Sequence, residues 1–293
     1  MHVAIEYCTR IPMYGRPASP QLNGVPNVKF TLRASLAISL AAISTGFGTC
    51  ALGAPDSPFV GDWKLSPTKS KLTDEMKVTS LAANKYGFDF ESNGVVETIV
   101  IDGTDQPGES GTTLSVAAVG PGAWKVVRKK DGRMLLTANW RLSKDANTLT
   151  DDFSAISPDG KASTVNYVYQ RTGSGSGFAG IWVSTSAAIN FVFTIQIRAY
   201  EADGLSIINP SSLTRNMKFD GQDYRNAGPN AAIVATSAVR RLDARTLELV
   251  DKGSNGRLYD TQKIELSADL NTLSMSVRNA GRSQPNVLVF DRQ

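Results

Sequence analysis

Cysteine and histidine are almost absent from this chain of 293 residues, and the few that occur lie near its amino terminus. The two cysteines, Cys8 and Cys50, and the single histidine, His2, all fall within the first 54 residues. The rest of the chain therefore has no thiol nucleophile, no Ser-His-Asp triad, no His or Cys zinc site and no disulfide bond. An enzyme built from it would have to use Asp, Glu, Tyr, Lys, Arg or Ser.

The first 54 residues have the pattern of an export leader and are left out of the fold prediction. An apolar stretch, residues 36–43, is too short to span a bilayer, and small residues follow it at 51–54. We expect cleavage near residues 51–54, an exported protein that is periplasmic or secreted, and no transmembrane segment in the mature chain. Residues 1–28 are longer than an ordinary charged leader start, which suggests that Met1 is a mis-assigned start. The residues before Cys50 are a poor match to a lipid-attachment signal, which argues against a lipid anchor there.

An excess of positive charge is also missing once the leader is set aside. The whole chain has 31 basic and 27 acidic residues, and the leader holds four of the basic and one of the acidic residues, which leaves 27 against 26. Nucleic-acid binding requires clustered Lys and Arg that face phosphates. The composition therefore gives no reason to predict a nucleic-acid partner.

What the chain does contain is a repeat. Residues 59–63 (Phe-Val-Gly-Asp-Trp) return as residues 178–182 (Phe-Ala-Gly-Ile-Trp). A second similar pair is formed by residues 143–150 (Ser-Lys-Asp-Ala-Asn-Thr-Leu-Thr) and residues 267–274 (Ser-Ala-Asp-Leu-Asn-Thr-Leu-Ser). The two copies meet in the Gly/Ser-rich run around residue 174. We therefore predict a first domain over 55–173 and a second over 174–293.

Both copies show the period-two alternation of antiparallel strands. In residues 134–142 the even positions are apolar, which points Trp140 inward. Turn pairs such as Asp131-Gly132 and Asn255-Gly256 separate the apolar runs, and the spacing predicts eight or nine strands in each copy. The expected fold is all-β, with two tandem antiparallel up-and-down barrels, and two β-sandwiches are the alternative.

A Gly-x-Trp on the first strand and a basic residue on the last are features of lipocalin-like barrels. Gly61-Asp62-Trp63 and Gly180-Ile181-Trp182 resemble that first-strand motif, and Arg171 and Arg292 lie where the family carries the basic residue. The chain thus resembles lipocalin-like repeats of exported bacterial proteins. The resemblance implies that an arginine packs over the tryptophan at the closed end of each barrel. These six residues are interpreted as structural.

The candidate ligand-binding residues are interior aromatics and two arginines. Trp140, Phe191 and Phe193 are predicted to face the barrel interior, where they either line a cavity or fill a core. Arg198 or Arg240 could meet a polar head of the ligand. Both alternatives for the aromatics stay open at this point.

The acidic residues give no catalytic or metal site. Residues 102–105 and 220–223 resemble turns more than a calcium loop, which supplies more oxygen ligands. Asp151 and Asp152 are adjacent on a predicted strand, so their side chains face opposite ways and cannot share a site. Asp74 and Glu75 are expected to be exposed charges near a turn. We predict no cofactor, no metal and no catalytic residue.

Three functions fit these features. The first is binding or carriage of a small, largely apolar molecule inside a barrel. The second is a non-catalytic, envelope-associated interaction protein whose barrels are filled. The third is a cavity isomerase or cyclase, which needs a buried ionisable group with a perturbed pKa, and Tyr167 and Glu97 are residues to inspect for it. The oligomeric state is left open.

Overall fold

The computed structural model describes residues 57–90, 92, 94–157, 160–209, 213–228 and 230–293. The predicted export leader, with Cys8, Cys50 and His2, lies outside these residues. Among the described residues no helix is long and apolar enough to cross a membrane. The helix they do contain is a single 3₁₀ turn, Glu109–Gly111.

Twenty strands make up the fold, in chain order as follows. The first ten are β1 (Gly61–Leu65), β2 (Glu75–Ala82), β3 (Lys85–Asp89), β4 (Glu97–Val100), β5 (Gln106–Pro107), β6 (Thr113–Gly120), β7 (Ala123–Lys130), β8 (Arg133–Leu142), β9 (Thr148–Ile156) and β10 (Ala162–Thr172). The next ten are β11 (Gly180–Asn190), β12 (Thr194–Ala199), β13 (Gly204–Asn209), β14 (Leu213–Lys218), β15 (Tyr224–Arg225), β16 (Val234–Asp243), β17 (Thr246–Gly253), β18 (Leu258–Leu266), β19 (Thr272–Asn279) and β20 (Asn286–Arg292).

These strands form two antiparallel sheets of ten, each nearly closed into a barrel. The first barrel has the order β4-β3-β2-β11-β10-β9-β8-β7-β6-β5, and the second has the order β14-β13-β12-β1-β20-β19-β18-β17-β16-β15. The predicted all-β fold with two tandem antiparallel barrels is confirmed. Each barrel has ten strands where the turn spacing predicted eight or nine.

The gap between the edge strands is bridged differently in each barrel. In the first, the side-chain amide of Gln106 on β5 bonds both backbone groups of Val100 on β4, at 2.8 Å each. In the second, backbone bonds join Thr214 and Ala227, at 2.8 and 2.9 Å. Both bridges satisfy edge groups that would otherwise be free to pair with another chain.

Alternation and turn chemistry explain the strands. On β8 the buried residues are Leu136, Ala138 and Trp140, which confirms the predicted inward face. Asp131 and Gly132 have φ values of 50° and 76°, as a two-residue hairpin of type I′ requires. The hairpin between β7 and β8 is therefore set by local sequence.

The two barrels exchange their first strands. β1 pairs with β12 and β20 of the second barrel, whereas β11 pairs with β10 and β2 of the first. The chain therefore crosses between the barrels twice, at 66–74 and at 191–193. The Gly/Ser-rich run around residue 174 lies between β10 and β11, which are neighbours in one sheet.

An arginine packs over a tryptophan at one end of each barrel. Because the first strands are exchanged, each arginine covers the tryptophan of the other repeat. The Arg292 guanidinium lies 4.2 Å from the ring centroid of Trp63, and that of Arg171 lies 4.4 Å from Trp182. The indole N–H of each tryptophan donates to the carbonyl of a buried phenylalanine four residues earlier, at 2.9 Å. We call each assembly a lid.

Glycine is favoured in both lids because φ is 156° at Gly61 and 152° at Gly180, and because the arginine lies against each of them. A Cβ on Gly61 would come within 2.7 Å of Arg292 Nη1, and one on Gly180 within 2.7 Å of Arg171 Nη1. The Gly-x-Trp spacing is thus explained by packing. Arg292 of the second repeat covers Trp63 of the first, and Arg171 of the first repeat covers Trp182 of the second.

Candidate ligand-binding site

Three side chains form a row across the interior of the first barrel. Trp140 on β8 pairs with Asp151 on β9, and Asp151 pairs with Tyr167 on β10. All three are buried, with at most 3 % of their surface exposed. Asp152 faces outward and accepts hydrogen bonds from Arg141 at 2.7 Å and Asn166 at 2.8 Å, so the predicted opposite orientation of the two aspartates is confirmed. We call Trp140, Asp151 and Tyr167 the polar row.

Asp151 is the unusual member of the polar row. Among the described residues, neither of its carboxyl oxygens has a hydrogen-bond partner, and the indole N–H of Trp140 has none either. Burial raises the pKa of Asp151 well above its usual range, and the negative charges of Asp74 and Asp152 raise it further. The nearby Trp140 indole opposes this rise in pKa, although its geometry does not complete a hydrogen bond. The carboxyl is therefore held in its neutral form.

Asp74 is a second buried acid, beside the polar row. Its carboxylate accepts a hydrogen bond from the Tyr169 hydroxyl at 2.8 Å and from Arg282 Nη2 at 3.1 Å. The sequence prediction that Asp74 is an exposed turn charge is wrong, since only 3 % of it is exposed. The reason is the strand exchange, because Asp74 ends the segment that crosses from one barrel into the other. Its backbone N–H is fixed there by the Ser184 hydroxyl at 2.7 Å.

The two tyrosines of β10 share this environment. Burial raises the pKa of both Tyr167 and Tyr169 well above the usual range, and the charges of Asp74 and Asp151 add to the rise. Both hydroxyls therefore stay protonated. Within the polar row, Asp151 is the carboxylic acid, and its raised pKa favours the neutral form.

Aromatic rings surround the polar row. Trp140 lies 6.0 Å from Phe88 and 6.2 Å from Phe90 between ring centroids, and Trp124 stacks on Phe178 at 3.7 Å. Phe88 is 1 % exposed, whereas Phe90 is only partly buried. The interior is thus filled by rings in this conformation, with Phe90 the ring nearest solvent.

A small cleft lies at the wall of the first barrel beside Asp74. It has a volume of about 20 Å³, room for roughly one water molecule. Arg282, from the turn between β19 and β20 of the second barrel, crosses it and donates to the Glu75 carbonyl at 2.8 Å. Beyond Ser184, β11 pairs only with β10 among the described residues, so the wall is incomplete next to this cleft.

The second barrel has apolar residues where the first has the polar row. The matching positions, paired in the same register, are Ile264, Met275 and Leu288. Ile264 and Met275 have the same spacing from Ser267 as Trp140 and Asp151 have from Ser143. Leu288 precedes Arg292 by four residues, as Tyr167 precedes Arg171. All three counterparts are at most 1 % exposed. The fold therefore accepts an apolar row at this level.

Phe193 occupies the place in the second barrel that Asp74 has in the first. It lies in the crossing segment before β12, and its ring contacts Phe290 edge-on at 5.6 Å, where the first barrel has the Asp74 to Tyr169 bond. Phe191 lies beside it at 6.3 Å. Both phenylalanines are partly buried and lie in the crossing segment before β12. They belong to the second barrel, apart from Trp140.

The two predicted arginines lie on the outer surface. Arg198 donates to the Asp62 carboxylate at 2.5 Å and to the Gly61 carbonyl at 3.0 Å. Arg240 pairs with Glu248 at 2.9 Å, with 64 % of its side chain exposed. Of the five candidate ligand-binding residues, only Trp140 is in the polar row, and the structure does not bring the five together.

Each barrel also buries an ion pair that closes its edge, and the charges are reversed between barrels. In the first, Arg128 on β7 contacts Glu97 on β4 at 2.5 Å, and in the second Asp251 on β17 contacts Arg215 on β14 at 2.6 Å. The two pairs occupy matching positions. The residue on the inner strand, Arg128 or Asp251, is the sixth of its strand. The residue on the edge strand, Glu97 or Arg215, lies five residues before the turn aspartate Asp102 or Asp220. Glu97 is thus a structural partner of Arg128.

In the part of the chain that the structure describes, no three His, Cys, Asp or Glu side chains come together in a group that could hold a metal ion. Asp102 and Asp220 act as turn residues instead. Each accepts a hydrogen bond from the backbone N–H two residues on, at 2.8 Å and 3.0 Å.

Two signals in the sequence could have revealed the polar row. Leu149, Phe153 and Ala155 share the inward parity of β9, which places Asp151 on the buried face, and the repeat aligns Asp151 with Met275. The chain matches no protein-family model and no curated protein. The second barrel therefore serves as the reference against which the first is compared.

Proposed function

We propose that this chain is an exported, lipocalin-like protein that binds a small, largely apolar molecule inside its first barrel. The observation that carries the proposal is the buried carboxyl of Asp151, whose oxygens have no hydrogen-bond partner in the part of the chain that the structure describes. Leaving such a group unpaired costs about 1–3 kcal/mol. Met275 shows that the same scaffold accepts an apolar residue there. A costly group that folding does not require is expected where a ligand completes the hydrogen bonds.

The surroundings of the carboxyl support an apolar ligand. Phe88, Phe90, Trp124 and Phe178 lie around Trp140 of the polar row, with ring centroids 6.0–6.3 Å from it. A pocket that is mostly aromatic with a few fixed polar groups is typical of small-molecule sites. A ligand in this position would replace ring contacts with its own apolar body.

Uptake requires a ring to move, and Phe90 is the candidate. It is partly buried, covers Trp140 from the end of β3, and is held by its carbonyl, which accepts from Arg282 at 3.3 Å. Rotation of this side chain would open the interior beside the incomplete wall. The second barrel contributes Arg282, so it helps to shape the entrance to the first.

Native mass spectrometry of the protein purified from its own source, followed by organic extraction, tests the proposal. A stoichiometric apolar molecule is expected. The variant Trp140→Ile, which copies the second barrel, should lose the molecule, and the matched control Ile264→Val in the second barrel should keep it. A protein that carries no extra mass and does not bind the uncharged probe N-phenyl-1-naphthylamine would overturn the proposal in favour of the filled-barrel interaction protein.

Catalysis by a cavity isomerase or cyclase is the second candidate, and one observation favours it. Burial raises the pKa of Asp151, as a neutral general acid requires. Incubating the extracted molecule with the protein and with Asp151→Asn tests this alternative. Conversion by the unchanged protein alone would favour catalysis over carriage.

A further inference from the structure

The two groups of the first barrel's polar row that lack partners are neighbours. Trp140 and Asp151 pair directly across β8 and β9. The indole N–H and both carboxyl oxygens are buried, and none of them has a hydrogen bond to a described residue. An indole nitrogen can only donate. Any ligand group that satisfies it must therefore accept.

The charged groups around Asp151 decide which role its carboxyl plays. Asp74, from the crossing segment, and Asp152, on the same strand, are both negative and favour the neutral acid. Tyr167 and Tyr169 on β10 are neutral, and Arg282, from the second barrel, is bonded to Asp74. A neutral carboxyl has one O–H to donate. Trp140 and Asp151 thus offer two donors, one from β8 and one from β9.

We infer that the ligand carries one neutral, carbonyl-type oxygen that accepts hydrogen bonds from the indole N–H of Trp140 and the carboxyl O–H of Asp151. This inference rests on the proposed binding function and names the chemistry of its ligand. A carbonyl oxygen has two lone pairs and can serve both donors. An anionic ligand is disfavoured because Asp74 is close and Arg282 is already paired with it. A cationic ligand would leave the indole N–H without an acceptor.

The second barrel supports treating the two donors as a unit. It replaces both together, with Ile264 and Met275 at the matching positions. Neither replacement can donate or accept a hydrogen bond of comparable strength. The pair is present in one barrel and absent from the other.

Three shape-matched probes test the inference with the full chain. They are 2-acetonaphthone, which has the carbonyl, 2-isopropylnaphthalene, which lacks it, and 1-(2-naphthyl)ethylamine, which is a cation. We expect the ketone to bind at least tenfold more tightly than either analogue, because each unpaired buried donor costs about 1–3 kcal/mol. Its ¹³C-labelled carbonyl stretch should shift to lower frequency on binding.

Three variants separate the neutral-donor role from a negative charge at Asp151. Asp151→Asn keeps a neutral donor and should bind the ketone within about threefold of the unchanged protein, whereas Asp151→Met and Trp140→Phe should each lose about tenfold. Met275→Leu in the second barrel should change nothing. Near-ultraviolet circular dichroism checks that each variant is folded.

The pH dependence gives a second readout. Ketone affinity should fall as pH rises through the raised pKa of Asp151, because the carboxylate cannot donate, and Asp151→Asn should show no such fall. Equal or tighter binding of the hydrocarbon or the amine, with amine binding lost in Asp151→Asn, would overturn the inference but leave the binding function standing. Failure of all three probes, together with an empty protein from source, would overturn both.

Discussion

The two barrels share a strand order, a lid and matching turns, and they differ in what they bury. The first has the polar row of Trp140, Asp151 and Tyr167, whereas the second has apolar side chains in the same register. The strand order, the lids and the turns determine the backbone, and the side chains of the buried row do not. The residues of the row can therefore vary between the barrels, and the unpaired carboxyl of Asp151 in the first barrel needs a reason other than folding.

The reversed ion pairs teach a related lesson. In each barrel an ion pair joins an edge strand, β4 or β14, to β7 or β17. The edge strand carries the negative charge in the first barrel and the positive charge in the second. Asp251 receives further hydrogen bonds from Ser237 and Gln262, and Glu97 from the backbone N–H of Glu109. The barrel therefore requires a matched pair at this place and is indifferent to which strand carries the positive charge.

The largest expected effect comes from breaking a lid, which tests the strand exchange. Trp63→Ala removes a fully buried ring and should cost about 4 kcal/mol in free energy of unfolding. Because β1 lies in the second barrel, hydrogen exchange should rise in residues 194–292 and stay near its original level in β2 to β10. Mass-spectrometric hydrogen exchange with urea unfolding measures both.

The matched variant Trp182→Ala should show the opposite map. Its loss should raise exchange in β2 to β11, because Arg171 and Trp182 close the first barrel. If Trp63→Ala instead loosened the first barrel, each repeat would fold with its own first strand and the exchange described here would be wrong.

A buried ion pair comes next in expected size. Asp251→Asn removes the buried carboxylate that contacts Arg215, which should cost about 3 kcal/mol in free energy of unfolding. The double variant Arg215→Glu with Asp251→Arg copies the first barrel's arrangement and should recover at least half of that loss. Urea denaturation checks both. A double variant no more stable than the single one would show that the sign does matter.

Much of this architecture was predictable from local sequence. Period-two alternation places Trp140 inward, and Asp131-Gly132 supplies the positive φ values of its hairpin. The lids were expected from the resemblance to lipocalin-like repeats, through the repeated Gly-x-Trp and the terminal arginines. The alternation and the hairpin depend only on contacts within one strand or one turn.

The strand exchange and the site could not be predicted in the same way. The sequence pattern of β1 is the same whether it closes its own barrel or the other, because Trp63 and Trp182 carry the same motif. Burial of Asp74 follows only from the crossing it occupies. Its partner Arg282 lies 208 residues further along the chain. A contact of that separation leaves no periodic signal.

A smaller effect of opposite sign is expected for Asp151→Met, which gives the first barrel the residue of the second. Removing an unpaired buried carboxyl should raise the free energy of unfolding by about 1–2 kcal/mol at pH 7 in the ligand-free protein. The folded state raises the pKa of Asp151, so its contribution to stability is present at low pH and is lost as pH rises from the unfolded value towards the folded one. The difference in free energy of unfolding between Asp151→Met and the unchanged protein should therefore grow as the pH rises above about 4. Urea titrations from pH 4 to 8 measure this difference.

The neighbour Asp152 provides the control with the opposite sign. Hydrogen bonds from Arg141 and Asn166 lower the pKa of Asp152, so its contribution is present above the unfolded value and is lost as the solution becomes acidic. Asp152→Asn should therefore lose stability near neutral pH and converge with the unchanged protein in acid. The same pH trend for both variants would contradict the opposite faces of the two carboxyls.

The smallest effect is expected for replacing a lid arginine by lysine. Arg292 donates to the carbonyls of Leu270, Val60 and Pro58 at 2.7–2.8 Å while covering Trp63, a geometry that a single ammonium group cannot reproduce. Arg292→Lys should cost about 1 kcal/mol and raise hydrogen exchange mainly at 57–66. The crossing after β1 leads to the first barrel, and β1 is held in the second by its pairing with β12 and β20. Arg171→Lys should raise exchange at 177–183 instead. Equal loosening of both segments by either variant would mean that the two lids are energetically coupled, and the two barrels would then have to be treated as a single cooperative unit.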